Sequence, residues 1–150
     1  LLASEADRIN MLAVALSGFD NFEIDDCEFK REGKSYTYDT VVYLKNKYPE
    51  DDFYLIVGED QYLFFDKWYR YEDILKLTTV VTACRHINRY KELLQYKSSH
   101  IKMKNSIVSD FDVIEVSSSQ IRAEIKAKKD ISSLVPDGVE KYIKEHGLYV

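Results

Sequence analysis

Two serines and an arginine near residue 120 form the pattern in this sequence that most directly suggests ligand chemistry. Ser118 and Ser119 follow an apolar stretch and open a predicted helix, and Arg122 lies one turn further on. Free backbone N–H groups at a helix N-terminus attract an anion, while hydroxyl and guanidinium groups add donors that suit a phosphate. A capping serine followed by a surface arginine explains the same residues equally well.

A second candidate position directly follows the apolar run 53–57. Gly58 would let the backbone approach a ligand closely, and the Asp60 carboxylate could accept hydrogen bonds from a ribose or an amide. A turn from strand to helix in which Asp60 is a cap is the simpler interpretation of these two residues taken alone.

Aromatic and donor groups supply three further candidates. Trp68 and Tyr69 could stack on a flat heteroaromatic ligand, although a single tryptophan more often belongs to the core. The hydroxyl and backbone donors of Tyr36 and Thr37 could meet a carboxylate or amide, but helix capping by Thr37 explains them too. At Arg85, which follows the predicted strand 79–83, a phosphate-binding role competes with simple surface exposure.

Composition excludes several classes of protein. The 150 residues carry 21 basic and 26 acidic side chains, and a net charge of -5 disfavours a general nucleic-acid coat protein. No run reaches the roughly 18 apolar residues of a membrane helix. The two cysteines stand far apart, which favours a reducing cytoplasm. The three histidines show no metal-ligand spacing, and neither a Walker loop nor a G-x-G-x-x-G motif occurs.

Helical and strand patterns alternate along the chain, which predicts an α/β fold with a Rossmann-like parallel sheet and helices on both faces. Ligands of such sheets bind beyond the carboxyl ends of the strands. The first helix is expected to be capped by Ser4, with Asp7 completing a capping box, and to bury Ile9, Leu12, Ala13 and Leu16. Further helices are predicted from Ser35, over 61–65, 71–77, 86–96 and 118–126, and from Pro136 to just before Gly147; strands are predicted around Phe22 and Ile24 and over 53–57, 79–83 and 113–116.

The motifs in their order resemble one family, the bacterial nicotinate-nucleotide adenylyltransferases of the nucleotidyltransferase superfamily. The block S-Y-T-x-D-T, the tryptophan and the late serine-arginine block are specific to that family, and the matching stretches extend across nearly the whole chain. They are Arg8-x-x-Met11-Leu12-x-x-Ala15, Arg31-Glu-Gly-Lys-Ser-Tyr-Thr-Tyr-Asp-Thr40, Ile56-Val-Gly-Glu-Asp60, Lys67-Trp68-Tyr69, Val116-Ser-Ser-Ser-Gln-Ile-Arg122, Leu134-Val-Pro136, Tyr142-Ile143 and Gly147-Leu148-Tyr149.

The resemblance implies an enzyme of NAD biosynthesis that transfers AMP from ATP to nicotinate mononucleotide, with magnesium, giving deamido-NAD and pyrophosphate. It implies that the nicotinate ring and carboxylate are held by Tyr36, Thr37, Trp68 and Tyr69. Nucleotide sugar would be contacted by Asp60, in both the mononucleotide site and the ATP site, and by Gly58 in the ATP site. ATP would also be bound by Arg85 and, at its phosphates, by Ser118, Ser119 and Arg122. Arg85 matches the arginine of the family's R-P-G turn, where His86 and Ile87 stand here in place of Pro and Gly. The implied partners are the two substrates, without nucleic acid or membrane, and a homo-oligomer is compatible with the family.

The family's first strand and its G-T-F-D-P-x-H-x-G-H region are expected to precede Leu1. The prediction is therefore one nucleotidyltransferase-like domain over 1–150 that is N-terminally incomplete, with no catalytic histidine of that region inside the chain. Two alternatives stay open: a nicotinamide mononucleotide adenylyltransferase of the same fold, and a non-catalytic nucleotide-binding remnant.

Overall fold

The computed structural model describes residues 3–84, 89–110 and 116–150. Two compact units divide the chain: Arg31–Glu115, called the sheet unit below, and Leu1–Lys30 with Val116–Val150, called the helical unit. The helical unit thus combines segments from the two ends of the chain.

Among the described residues, a parallel sheet of three strands forms the centre of the sheet unit. Its strands are β1 (Tyr54–Val57), β2 (Thr79–Ala83) and β3 (Ile107–Ser109), with β2 in the middle. Val57 pairs with Thr82, which pairs in turn with Val108. The predicted parallel α/β fold is confirmed. The strand β3 was not predicted, and the strand predicted at 113–116 lies, except for Val116, outside the described residues.

Helices connect these strands as parallel pairing requires. Helix α2 (Thr37–Lys47) precedes β1, α3 (Glu59–Tyr62) and α4 (Tyr71–Leu77) lead to β2, and α5 (Tyr90–Ser99) leads to β3. The prediction of α4 is confirmed in both bounds, whereas the predicted start of α5, at His86, lies outside the described residues. The prediction that Thr37 caps α2 is wrong by one residue, because Tyr36 occupies the N-cap and Thr37 is already helical.

The core of the sheet unit lies where these helices meet the sheet. Tyr62, Phe65, Ile74 and Leu93 are fully buried, and the Tyr62 hydroxyl is 2.5 Å from the Ser106 hydroxyl oxygen. The apolar run of β1 predicted a strand covered on both faces, and this is wrong. Tyr54 and Ile56 are 61% and 78% exposed, because an apolar run indicates hydrophobicity but does not by itself supply a layer that covers it.

Three helices make up most of the helical unit: α1 (Glu5–Leu16), α6 (Ser118–Lys126) and α7 (Asp137–Glu145). The capping box of Ser4 and Asp7 is confirmed. Pro136 occupies the N-cap of α7, and Gly147 follows the helix with φ +57°, so proline precedes the helix and glycine lies just past its end, as predicted from the sequence.

The predicted inner face of α1 is wrong. Leu12 is 50% exposed, Ala13 is exposed, and Ile9 and Leu16 are only half-buried. The residues that pack against the core of the helical unit are Met11, Val14 and Ala15. Helix α1 carries apolar residues on more than one of its sides, so the periodicity of the sequence alone could not show which side is buried. The choice follows from the close approach of α7, where a Cβ on Gly138 would stand 2.5 Å from Val14 Cγ1.

The strand predicted around Phe22 and Ile24 is absent, and residues 22–26 are irregular. The Phe22 ring is exposed and meets the Phe19 ring edge-on at 5.7 Å, so alternation over so few residues reflected local aromatic contact and not strand pairing. None of the helices in the described part of the chain combines the length and the apolar character needed to span a membrane.

Candidate functional site

Tyrosine rings from two segments meet at the start of α2. Tyr36 at the N-cap lies with its ring 4.5 Å from the ring of Tyr69, at an interplanar angle of 38°, and Tyr38 meets Tyr69 edge-on at 6.2 Å. Tyr69 is exposed. Two residues that the sequence proposed for ring binding therefore lie side by side, and they leave aromatic surface open to solvent.

Trp68, the residue before Tyr69, is tied to the core. Its ring lies 4.9 Å from that of the fully buried Phe65, and the side chain is half-buried. The Trp68 backbone is extended, and consecutive side chains of an extended chain point in opposite directions. The indole can therefore anchor this segment on Phe65 while the next residue, Tyr69, faces Tyr36.

Cations that the sequence analysis did not single out stand over these rings. Lys34 Nζ lies 5.2 Å from the centroid of the Tyr36 ring, and Arg70 Cζ lies 4.1 Å from that of Tyr38. The hydrogen bond from Arg70 to Asp73 raises the pKa of Arg70. The exposed Tyr69 ring, beside two half-buried rings with positive charge over them, suits a flat aromatic ligand that carries an anionic group.

The segment before α2 is held by Arg31. Its Nη1 donates to Ser35 Oγ and to Thr40 Oγ1, each at 3.1 Å, so a single guanidinium joins the chain before the helix to its first turn. Thr37 is the first helical residue, a position where backbone N–H groups have no intrahelical acceptor. A donor is therefore available beside the tyrosine rings.

Gly58 and Asp60 lie just beyond the carboxyl end of β1. Gly58, not Asp60, is the N-cap of α3, so the interpretation of Asp60 as a helix cap is wrong. The Asp60 carboxylate accepts a 2.5 Å hydrogen bond from Arg89 Nη1, and the same nitrogen lies 3.2 Å from Oε1 of the buried Glu59. These two hydrogen bonds raise the pKa of Arg89.

Arg89 was missed by the sequence analysis. It stands ahead of α5, far along the chain from Asp60, and no motif joins the two positions. Arg85, the phosphate-binding candidate, lies outside the described residues, as do His86 and Ile87 beside it.

The serine-arginine group belongs to the helical unit. Ser117 is the N-cap of α6 and accepts a 3.1 Å hydrogen bond from the Gln120 N–H. Because Ser117 does the capping, the exposed Ser118 and Ser119 at the start of the helix are not needed for it. Arg122 Nη2 donates to Ser119 Oγ at 3.2 Å and thereby points back to the helix N-terminus.

A cavity of about 180 Å³ adjoins this helix start. Ser118 and Arg122 line it together with Met11 of α1 and apolar side chains of the helical unit. The cavity therefore combines apolar walls with a hydroxyl and a guanidinium, next to backbone N–H groups that attract anions.

The comparisons with known proteins agree with this architecture. A model of the Cytidylyltransferase-like family matches residues 1–124, and the chain belongs to this family of nucleotidyltransferase fold. The nicotinate-nucleotide adenylyltransferase of Bacillus subtilis (strain 168) is 35% identical over 143 residues, which are 95% of this chain and 70% of that protein. The probable nicotinate-nucleotide adenylyltransferase of Borreliella burgdorferi is 40% identical over 147 residues, 98% of this chain and 72% of that protein. The resemblance proposed from the sequence motifs is confirmed.

A solved structure shares the fold. The nicotinic acid mononucleotide adenylyltransferase of Plasmodium falciparum, in complex with APC, superimposes with a TM-score of 0.76 at 19% identity, covering 99% of this chain and 77% of that one. The same enzyme in complex with NaAD gives a TM-score of 0.75.

Proposed function

We propose that this protein transfers AMP from ATP to nicotinate mononucleotide and forms deamido-NAD and pyrophosphate in NAD biosynthesis. The observation that carries the proposal is the contact of the half-buried Tyr36 ring with the exposed Tyr69 ring beside Lys34, in a chain whose curated relatives bear this activity in their names. A pyridine ring with a carboxylate is a flat aromatic anion, and this surface offers the exposed Tyr69 ring and a cation.

We assign the mononucleotide to the sheet unit. Tyr36 and Tyr69 would stack on the nicotinate ring, the N–H groups at Thr37 would meet its carboxylate, and Trp68 would hold this surface in place and contact the ring. At the carboxyl end of β1, where sheets of this type bind ligands, Asp60 would meet nucleotide sugar of the mononucleotide and of ATP, and Gly58 would contact ATP.

We assign the ATP phosphates to the helix start in the helical unit. Ser118 and Ser119 would donate to phosphate oxygens, and Arg122 would neutralise charge that develops on the departing pyrophosphate. Arg85 is a further phosphate ligand in this proposal.

The chemistry needs position and charge more than a strong base. The mononucleotide phosphate is already an anion, so its oxygen attacks the α-phosphorus of ATP directly, and the bond from that phosphorus to the pyrophosphate oxygen breaks. Among the residues that the structure describes, no cluster of His, Cys, Asp or Glu could hold a metal ion. We therefore treat Mg²⁺ as part of the ATP substrate, bound by phosphate oxygens and water.

We propose that residues 1–150 form part of a single nucleotidyltransferase-like domain that acts in the cytoplasm on two small nucleotides, with neither nucleic acid nor membrane as a partner. The acidic net charge of -5 supports the exclusion of nucleic acid.

The test is a substrate comparison on the full-length protein. ATP and Mg²⁺ are combined with nicotinate mononucleotide or with nicotinamide mononucleotide, and dinucleotide and pyrophosphate are quantified by chromatography. We expect equal amounts of deamido-NAD and pyrophosphate, and a higher kcat/KM for the nicotinate substrate. Preference for the nicotinamide substrate would replace the proposal by the alternative enzyme, and binding without turnover would indicate a nucleotide-binding remnant.

A further inference from the structure

Arg89 links the turns that follow two neighbouring strands. It precedes α5, after β2, and its Nη1 reaches both Glu59 and Asp60 at the start of α3, after β1. Its Nε also lies 3.5 Å from Oε2 of Glu92. The guanidinium is therefore held between carboxylates on two elements, which restricts its orientation.

The ion pairs of Arg89 with Glu59 and with Asp60 differ in how much they stabilise the fold. The side chain of Glu59 is only 4% exposed, and a buried carboxylate is costly unless a cation and hydrogen bonds compensate it. The side chain of Asp60 is 74% exposed, and exposed ion pairs contribute little to folding stability. The contact to Glu59 thus explains why Arg89 points inward, whereas the short bond to Asp60 needs another reason.

That reason lies in the orientation of the Asp60 carboxylate. Arg89 occupies Oδ1, and within the described residues no group donates to Oδ2. A carboxylate fixed through one oxygen loses less rotational freedom when its other oxygen accepts a hydrogen bond from a ligand. We propose that Arg89 is a positioning residue that, braced by buried Glu59, aims the Asp60 carboxylate at a sugar hydroxyl of a bound nucleotide.

This inference rests on the proposed function in one respect: that function determines which two nucleotides are used as probes. Calorimetry on the full-length protein measures the affinities for nicotinate mononucleotide and for α,β-methylene-ATP in wild type, Asp60→Ala, Arg89→Met and the double variant. We expect Asp60→Ala to lower the affinity for one of the two nucleotides about tenfold or more, as loss of a hydrogen bond to a charged group does. Arg89→Met should lower the affinity for the same nucleotide about three- to tenfold, because the Asp60 carboxylate is kept but is no longer held in one orientation.

The decisive quantity is the coupling between the two positions. If Arg89 acts through Asp60, Arg89→Met in the Asp60→Ala background changes the affinity by less than about twofold. Independent effects that multiply would overturn the proposal, and so would an Asp60→Ala variant that binds both nucleotides as wild type does. Nucleotide binding that shows the coupling, without formation of deamido-NAD, would reject the proposed function and leave this inference standing.

Two further variants guard against loss of folding. Arg89→Met leaves the buried Glu59 carboxylate without this cation, so Glu59→Gln combined with Arg89→Met removes that buried charge as well and is expected to show the same loss of affinity. Arg89→Lys keeps a charge near Glu59 and should restore part of the affinity. Lys102→Met, which breaks the exposed ion pair with Glu72 in the same unit, is the matched control and should leave both affinities unchanged. A purely structural Arg89 would lower the free energy of unfolding while the folded protein kept wild-type affinity, and that result would contradict the proposal.

Discussion

The two units of this chain are held together in different ways. The sheet unit contains the large, fully buried side chains of the described residues: Tyr62, Phe65, Ile74, Val80, Thr82, Leu93 and Met103. The helical unit has a small core of Ile131, Val139 and Ile143. Burial of apolar area is the dominant favourable contribution to folding, so the sheet unit has the larger internal source of stability.

In the helical unit, polar contacts compensate in part for the small apolar core. The Tyr142 hydroxyl of α7 donates to Asp7 Oδ1 at 3.0 Å and accepts from Asn10 Nδ2 at 3.1 Å, which ties α7 to α1. The hydrogen bonds from Ser4 and Tyr142 lower the pKa of Asp7. The surface of Tyr36, Tyr38 and Tyr69 therefore belongs to the unit with the well-packed core. Ser118, Ser119 and Arg122 belong to helices with few buried contacts, and such regions unfold locally at a lower free energy.

Removal of the same side chain from each core gives the largest expected effect. Ile74→Ala in the sheet unit should lower the free energy of unfolding by about 4–5 kcal/mol, and Ile143→Ala in the helical unit by about 2–3 kcal/mol, because the smaller core can close around the cavity. Urea denaturation of both variants measures the difference. Equal losses, or a larger loss for Ile143→Ala, would contradict the contrast between the units.

Loss of Arg122 should affect ATP and spare the mononucleotide. Arg122→Ala removes the guanidinium beside Ser119. We expect the binding free energy of ATP to fall by about 1.5–3 kcal/mol and the KM for ATP to rise. Steady-state kinetics with each substrate varied in turn tests this expectation. Lys126→Ala, at the other end of the same helix, is the matched control. Wild-type kinetics for ATP in Arg122→Ala would reject the anion site at α6.

Loss of the indole should have the opposite selectivity. Trp68→Ala is expected to reduce the binding free energy of nicotinate mononucleotide by about 1–3 kcal/mol and that of ATP by less. Trp68→Phe keeps an aromatic ring against Phe65 and should retain more of the affinity. Calorimetry with each nucleotide separates the two effects, and an unchanged mononucleotide affinity in Trp68→Ala would remove Trp68 from the ring site.

The smallest effect is a pH dependence confined to the sheet unit. Burial raises the pKa of Tyr96 to about 12. The hydrogen bond that the Tyr96 hydroxyl accepts from the Asp66 N–H lowers this pKa, and the one it donates to the Asp66 carboxylate raises it. The unfolded chain loses this proton near pH 10, so the stabilisation is complete below pH 10 and is lost as the pH rises towards 12. Denaturation between pH 9 and about 11 should show a shallower decline for Tyr96→Phe than for wild type. Tyr54→Phe, on an exposed side chain, should behave as wild type, and parallel declines of all three proteins would argue against this role for Tyr96.

Much of the secondary structure could be predicted because its signals are local. The bounds of β2 and α6 agree with the prediction, and Ser4 and Asp7 form the expected capping box. A cap, a helical period or a short β-branched run acts through neighbours within a few residues, so the sequence itself carries the information. The motif order likewise sufficed to identify the family and to propose Tyr36, Tyr69 and the serine-arginine group.

Choices between partners far apart in the chain were decided by the tertiary structure. Either side of α1 could have been buried, and the approach of α7 at Gly138 selected Val14. The contact of Arg89 with Asp60 joins turns that only the parallel pairing of β1 and β2 brings to one edge. Local sequence determined where helices and strands form in this protein. Which of their faces became core, and which charges meet at the candidate site, depended on packing, because contact energy is shared between residues that no short motif connects.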